Sequence, residues 1–203
     1  MSSFFGGRKQ DNLAVGKNNS GFSLIELLVV IGIGTLLMTA AIASTMNARR
    51  SNILEQSGRK LLLDVRSLQN KALSVRPVSI SGTPVTPWSY IIRLSQRSGE
   101  NTQYLLFADI NNNKIYDSGT DVVLNNNTPV ALPTGIIIQA IAPPVYPAEG
   151  ANIVFQLPSA TALLVSPVSG ASVSNSLVVT LTDAITGSTR TLTVYTTGMV
   201  SLK

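Results

Sequence analysis

The amino-acid sequence predicts an α+β protein, with a long N-terminal transmembrane and stalk helix packed on a C-terminal antiparallel β-sandwich-like domain. Three observations predict it. No proline occurs from Phe22 to Arg76. Within that stretch the apolar residues recur first as a continuous run and then at helical spacing. After Pro77 the pattern changes to short apolar runs about ten residues apart, bounded by turn residues, as strands of a sandwich are.

The continuous run, Phe22 to Met46, carries no charge except Glu26. As a helix rising ~1.5 Å per residue it is long enough for ~30 Å of hydrocarbon. Arg8, Lys9 and Lys17 precede it against one acid, Asp11, so the positive-inside rule puts the N-terminus in the cytoplasm and the following domain outside. A plain membrane anchor fits this run. So does a secretory signal cut near Ala41-Ile42-Ala43, where small residues flank one larger one. Neither explains Glu26. A carboxylate in such a run costs on the order of 3 kcal/mol to insert, and an anchor or a signal peptide gains nothing from it. Gly32 and Gly34 lie in the middle of the run, where a nucleotide loop has no strand before it; close packing between helices is the reading that fits.

The residues Gly21-Phe22-Ser23-Leu24-Ile25-Glu26, directly before the apolar stretch, resemble the type IV prepilin signal. The resemblance implies a cleaved leader, residues 1–21. It implies a prepilin peptidase/methyltransferase that cuts between Gly21 and Phe22 and methylates the Phe22 amine. It also implies that Glu26 acts in assembly by pairing with that amine, which supplies a partner for a buried charge. Cleavage on the cytoplasmic side would keep the helix as an anchor. The expected location is a bacterial inner membrane, crossed once, with the N-terminus cytoplasmic and the domain periplasmic.

Beyond residues 22–46, the transmembrane or filament-core part, an amphipathic stalk is expected over 47–76. Leu54, Leu61, Val65, Leu68 and Ala72 mark one apolar face. Pro77 ends the helix because the residue before proline disfavours helical backbone. The helix would run about 50 residues, roughly 80 Å. The stalk is basic, with Arg49, Arg50, Arg59, Lys60, Arg66, Lys71 and Arg76 against Glu55 and Asp64. A solvated face or contact with anionic headgroups explains this better than nucleic acid, because no aromatic residues interleave with the charges.

Residues 77–203 form the expected β-rich periplasmic domain. Strands are predicted at 89–94, 103–108, 122–124, 136–141, 153–157, 177–182, 191–195 and 199–202. In Thr191-Leu192-Thr193-Val194-Tyr195 the apolar residues alternate, so Leu192 and Val194 share a face. Asp183–Thr189 reads as a hairpin loop with Gly187 in the turn. The prolines at 143, 144 and 147 and the Ser-rich stretch 166–176 read as connections.

Gly58-Arg59-Lys60-Leu61, Asp64-Val65-Arg66 and Gln69-Asn70-Lys71-Ala72-Leu73 are similar to the stalk of the GspH/FimT family, as are the loop Phe107–Asn113 and the Gly198-centred hairpin. That family comprises H-type minor pseudopilins of type II secretion and related minor pilins. The resemblance implies a structural subunit of a periplasmic filament, at its tip or initiation complex. Its partners would be other pseudopilins or pilins and an inner-membrane assembly platform. DNA-binding members are expected to present arginines near the C-terminal hairpin; here Thr196–Lys203 holds one basic residue, Lys203. Nucleic acid is not the expected partner.

The loop Asp109–Asp117 places side-chain oxygens at alternate positions, as calcium loops do. Asp109, Asn111, Asn113 and Asp117 are therefore candidate calcium ligands. Lys114 stands where the turn glycine belongs, and Thr120 where a bidentate glutamate belongs, with Asp121 one residue late. An Asx-rich hairpin turn is the competing reading. With no cysteine and no histidine, disulfides, Cys- or His-ligated zinc, and Ser-His-Asp or Cys-His catalysis are excluded. No nucleophile–base pair is visible, so a structural and interaction protein is expected rather than an enzyme.

Overall fold

An unbroken proline-free stretch becomes one 50-residue helix, α1 (Leu24–Leu73). The computed structural model describes Gly21, 23–143, 150–172 and 174–203, and side chains at all of these except 40–44. Ser23 caps the start, its carbonyl accepting from Leu27 N at 3.1 Å. The helix stops at Leu73, three residues short of the proline boundary. Val75 N donates to Ala72 O and Arg76 N to Lys71 O, both at 3.2 Å, which is the Schellman pattern. Val75 takes the left-handed position at φ 46°, and Pro77 prevents any return to helix.

The first unit, up to Ala43, contains the apolar half of α1. Leu24, Ile25, Leu27, Leu28 and Leu36 are all more than half exposed. Among the described residues no helix is long and apolar enough to cross a membrane. The expected span 22–46 lies partly outside the described side chains.

The second unit, Ser44–Lys203, is an antiparallel β domain built with the rest of α1. Its strands are β1 (Val78–Ile80), β2 (Thr83–Val85), β3 (Ser89–Leu94), β4 (Gln103–Asp109), β5 (Val122–Val123), β6 (Val130–Ala131), β7 (Ile136–Ala142), β8 (Ala151–Gln156), β9 (Ala162–Val165), β10 (Ser176–Asp183), β11 (Thr189–Tyr195) and β12 (Val200–Leu202). β1 and β2 make a separate hairpin. One larger sheet runs β5-β4-β3-β8-β9, with β6 also on β4; the other runs β12-β11-β10-β7. All the predicted strands are present, whereas β1, β2, β6 and β9 were not foreseen. Three of these have two or three residues, too short for a period to show, and Ala162-Leu163-Leu164-Val165 is apolar throughout.

The stripe read from the sequence is the buried one. Leu54, Leu61, Val65, Leu68 and Ala72 are at most 1% exposed. They share a core with Tyr90 and Ile92 of β3, Ile153 and Phe155 of β8, Leu177, Val179 and Leu181 of β10, and Leu192 and Val194 of β11. Both sheets therefore turn one face to the helix, as alternation requires. The other face of the larger sheet holds a smaller cluster, Ile91, Phe107, Val154 and Val165, with Tyr116 packed against it.

Candidate functional site

Three places bear on function: the N-terminal signal, the helix–domain seam and the acidic loop. At the first, Glu26 sits in the first turn of α1 and is exposed. The positive end of the helix dipole favours a carboxylate there. Phe22, the expected methylation site, lies outside the described residues, while Gly21 and Ser23 are exposed beside it. Along the apolar half, a Cβ at Gly32 or Gly34 would meet nothing within 4 Å. Thr35 Oγ1 donates to Gly32 O at 2.9 Å and Thr39 Oγ1 to Leu36 O at 2.8 Å, so both hydroxyls are satisfied by the helix itself. Among the described residues this surface is apolar, exposed and self-satisfied, which suits burial in lipid or against other helices.

The seam between α1 and the β domain is polar at its edges. Arg190 Nε of β11 donates to Glu55 Oε2 at 2.8 Å and Arg59 Nε to Glu55 Oε1 at 3.0 Å. The Arg190 hydrogen bond, then that of Arg59, holds the Glu55 carboxyl below its usual range. Tyr104 Oη donates to Asp64 Oδ2, and Lys60 Nζ reaches the same oxygen at 3.3 Å. Burial, then this bond to Asp64, pushes the Tyr104 phenol far up. Arg50 Nη1 donates to Thr134 O at 3.1 Å and stands 4.0 Å from buried Asp183. The N–H of Ile185 holds the Asp183 carboxyl below its usual range.

The last turns of α1 meet the C-terminal hairpin. Gln69 Nε2 donates to Ala160 O at 2.7 Å and to Gly198 O at 3.1 Å. Gly198 has φ +85°, and a Cβ there would lie 2.2 Å from Ala160 O. At Gly58 a Cβ would lie 2.9 Å from Leu202 Cδ1, so the missing side chain lets β12 approach the helix. The sequence gives no sign of these contacts with α1, because the residues that meet lie far apart along the chain, Gln69 and Gly198 by 129 residues.

The acidic loop closes on itself. Buried Asp109 accepts from Asn112 N at 2.8 Å, Lys114 N at 3.1 Å and Ser89 Oγ at 3.1 Å. Asn111 Oδ1 accepts from Asn113 N at 3.2 Å, and Asn113 Oδ1 from Ile115 N at 2.9 Å, two Asx turns in series. Both asparagines donate their amide N–H to Asp117 Oδ2. Asp121 accepts from Ile110 N at 3.0 Å and Asp117 N at 2.8 Å. Burial holds the Asp121 carboxyl above its usual range, with Asp109 and Asp117 adding to it and the two N–H donors offsetting part. Asp121, set aside in sequence as one residue late, thus closes the loop. Among the four candidate calcium ligands, the structure brings Asn111, Asn113 and Asp117 together, but with amide hydrogens rather than lone pairs facing Asp117. A cation there would need both amides turned and their Asx turns broken. Among the described residues no group of three or more Asp, Glu, His or Cys side chains is arranged to hold a metal ion. The loop also covers the outer sheet face. Tyr116 meets Phe107 edge-on at 5.4 Å, and Asn152 Nδ2 of β8 donates to Lys114 O at 2.8 Å.

No curated protein and no solved structure matches the chain. Residues 16–42 match the family model of the prokaryotic N-terminal methylation motif. The chain thus carries a type IV pilin-like N-terminal signal, of the kind that is cleaved and N-methylated, ahead of an α+β fold.

Proposed function

We propose that this chain is a minor pseudopilin, a structural subunit in the tip or initiation complex of the periplasmic filament of a type II secretion system. One observation carries the reading: the methylation motif overlaps the start of a 50-residue helix whose described apolar side chains in the first half are exposed and whose second half is built into a β domain. In this reading the peptidase cuts between Gly21 and Phe22 and methylates Phe22, and the apolar half of α1 anchors the chain in the inner membrane. On assembly that helix packs among others around the filament axis. The Glu26 carboxylate pairs with the amine of Phe22, so an ion that is costly in an apolar setting is offset by an opposite one.

Two measurements test it. N-terminal sequencing of protein from its own cells should begin at N-methylated Phe22. Glu26→Ala should leave cleavage intact and reduce incorporation into the filament; incorporation at the normal level would refute the pairing mechanism. A minor pilin of a type IV pilus is the second reading, favoured by the same signal and by the basic helix face, including the version that takes up DNA. A gel shift of the chain with duplex DNA at low and moderate salt separates it, because phosphate contacts weaken steeply with salt. The neighbouring genes would distinguish a secretion operon from a pilus operon. An uncleaved leader in cells that make the peptidase would favour a membrane-anchored binding module outside any filament.

A further inference from the structure

The exposed side of α1 changes character along its length. From residue 55 to 64 the charges are compensated: Glu55 pairs with Arg59, and Lys60 with Asp64. From residue 65 to the end of the helix there is no acid. Arg66, Lys71 and Arg76 line a groove of about 500 Å3 together with Leu63, which is 64% exposed. Among the described residues none of these three cations forms an ion pair; Arg66 alone makes a side-chain hydrogen bond, to Val200 O at 3.4 Å. Ordinary solvated faces mix their signs. An exposed leucine set among unpaired cations is instead the pattern of a docking surface, an apolar anchor with a charged rim.

The charges also say what fits there. A second copy of the chain offers few carboxylates. Of the eight acids after residue 43, Glu55 and Asp64 are paired, Asp109, Asp121 and Asp183 are buried, Asp117 is held by two asparagines, and Glu149 lies outside the described residues. That leaves Glu100, on a loop between β3 and β4. Phosphates would satisfy the cations but not Leu63, and the groove has no aromatic side chain on which a base could stack. We propose that the Leu63–Arg76 face docks a different filament subunit. That partner presents carboxylates around an apolar socket, so this chain is placed by a heterotypic acidic neighbour rather than by its own copies. The inference rests on the filament reading above.

The test replaces Leu63 by benzoylphenylalanine in the full chain, in cells that assemble the filament, and maps the photocrosslink by mass spectrometry. The expected adduct is with another chain bearing an N-terminal methylation signal, at a peptide rich in Asp and Glu. Lys71→Glu with Arg76→Glu should lower its yield about tenfold, equivalent to ~1.4 kcal/mol. Reversing the partner's mapped acids to lysine should restore it. Both cations lie at the surface, and circular dichroism of the double variant checks that it is folded. A crosslink to a second copy, to DNA or to lipid overturns the proposal, as does a yield indifferent to charge reversal. Normal incorporation without any crosslink overturns it and leaves the filament reading standing. A chain that is neither incorporated nor crosslinked overturns both.

Discussion

Gly198→Ala tests the contact between the end of α1 and the C-terminal hairpin. Gly198 has φ +85°, a left-handed conformation that costs a residue with a Cβ about 1–2 kcal/mol. Space is the larger difficulty. The new Cβ would stand 2.2 Å from Ala160 O and 2.6 Å from Gln69 Nε2, well inside contact distance. Ala160 O is backbone and cannot swing away alone, so the hairpin must shift. The two hydrogen bonds from Gln69, to Ala160 O and Gly198 O, would then stretch, at about 0.5–1.5 kcal/mol each. The expected destabilisation is about 2–5 kcal/mol. Gly187→Ala is the control. Its φ is +72°, but a Cβ there meets nothing within 4 Å, so it should lose only the conformational 1–2 kcal/mol or so. Urea unfolding of the full chain in detergent, followed by circular dichroism, gives both values from the midpoints if the slope is unchanged. Equal losses at Gly198 and Gly187 would show that crowding against the helix contributes nothing, and the reasoning would fail.

Three further outcomes follow from other parts of the molecule. Leu61→Ala removes a side chain that is 0% exposed and should cost about 2–5 kcal/mol, whereas Leu63→Ala, two residues on and exposed, should stay within about 0.5 kcal/mol in the isolated chain; similar losses would mean that the helix faces are misassigned. The hydrogen bond from Arg190, with that from Arg59, lowers the pKa of Glu55 below its usual 4.5, so its contribution is present above about pH 4.5 and is lost as pH falls through the lower folded value. The difference in urea midpoint between the wild type and Glu55→Gln should therefore shrink between about pH 6 and pH 3, and a constant difference would count against the ion pair. Calorimetric titration with calcium should give no heat in the millimolar range, since the loop oxygens already accept from protein N–H groups; saturable heat abolished by Asp117→Asn would show that the loop binds calcium.

Much of this protein was legible because its strongest signals are local. A proline-free apolar run and a buried stripe at helical spacing define α1. The strands that are long enough to alternate, or flanked by turn residues, were found within two residues of their bounds. The misses are short strands such as β1 and β6, which exist because a neighbour supplies the hydrogen bonds, and β9, whose uniformly apolar sequence has no period. The same holds for the acidic loop. Its spacing alone fits either a calcium loop or an Asx turn, because alternate oxygens serve both. The N–H groups of Asn112, Asn113, Lys114 and Ile115 that meet those oxygens, and Ser89 of β3 beside Asp109, come into view only in the folded loop.

The N-terminal signal is legible along the chain, because its residues are adjacent and Glu26 stands out by its position in an apolar run. The sequence by itself also determined which face of α1 is buried, because that face is set by a period of 3.6 residues. What the other face meets is set by the tertiary fold. Arg59 and Lys60 find carboxylates one helical turn away, at Glu55 and Asp64, but whether Glu55 is shared and what Arg66 lies against depends on where the distant strands β11 and β12 come to rest. Glu55 is shared between Arg59 and an arginine 135 residues away. Charge balance on a surface belongs to three-dimensional neighbours, and a linear sequence does not record them.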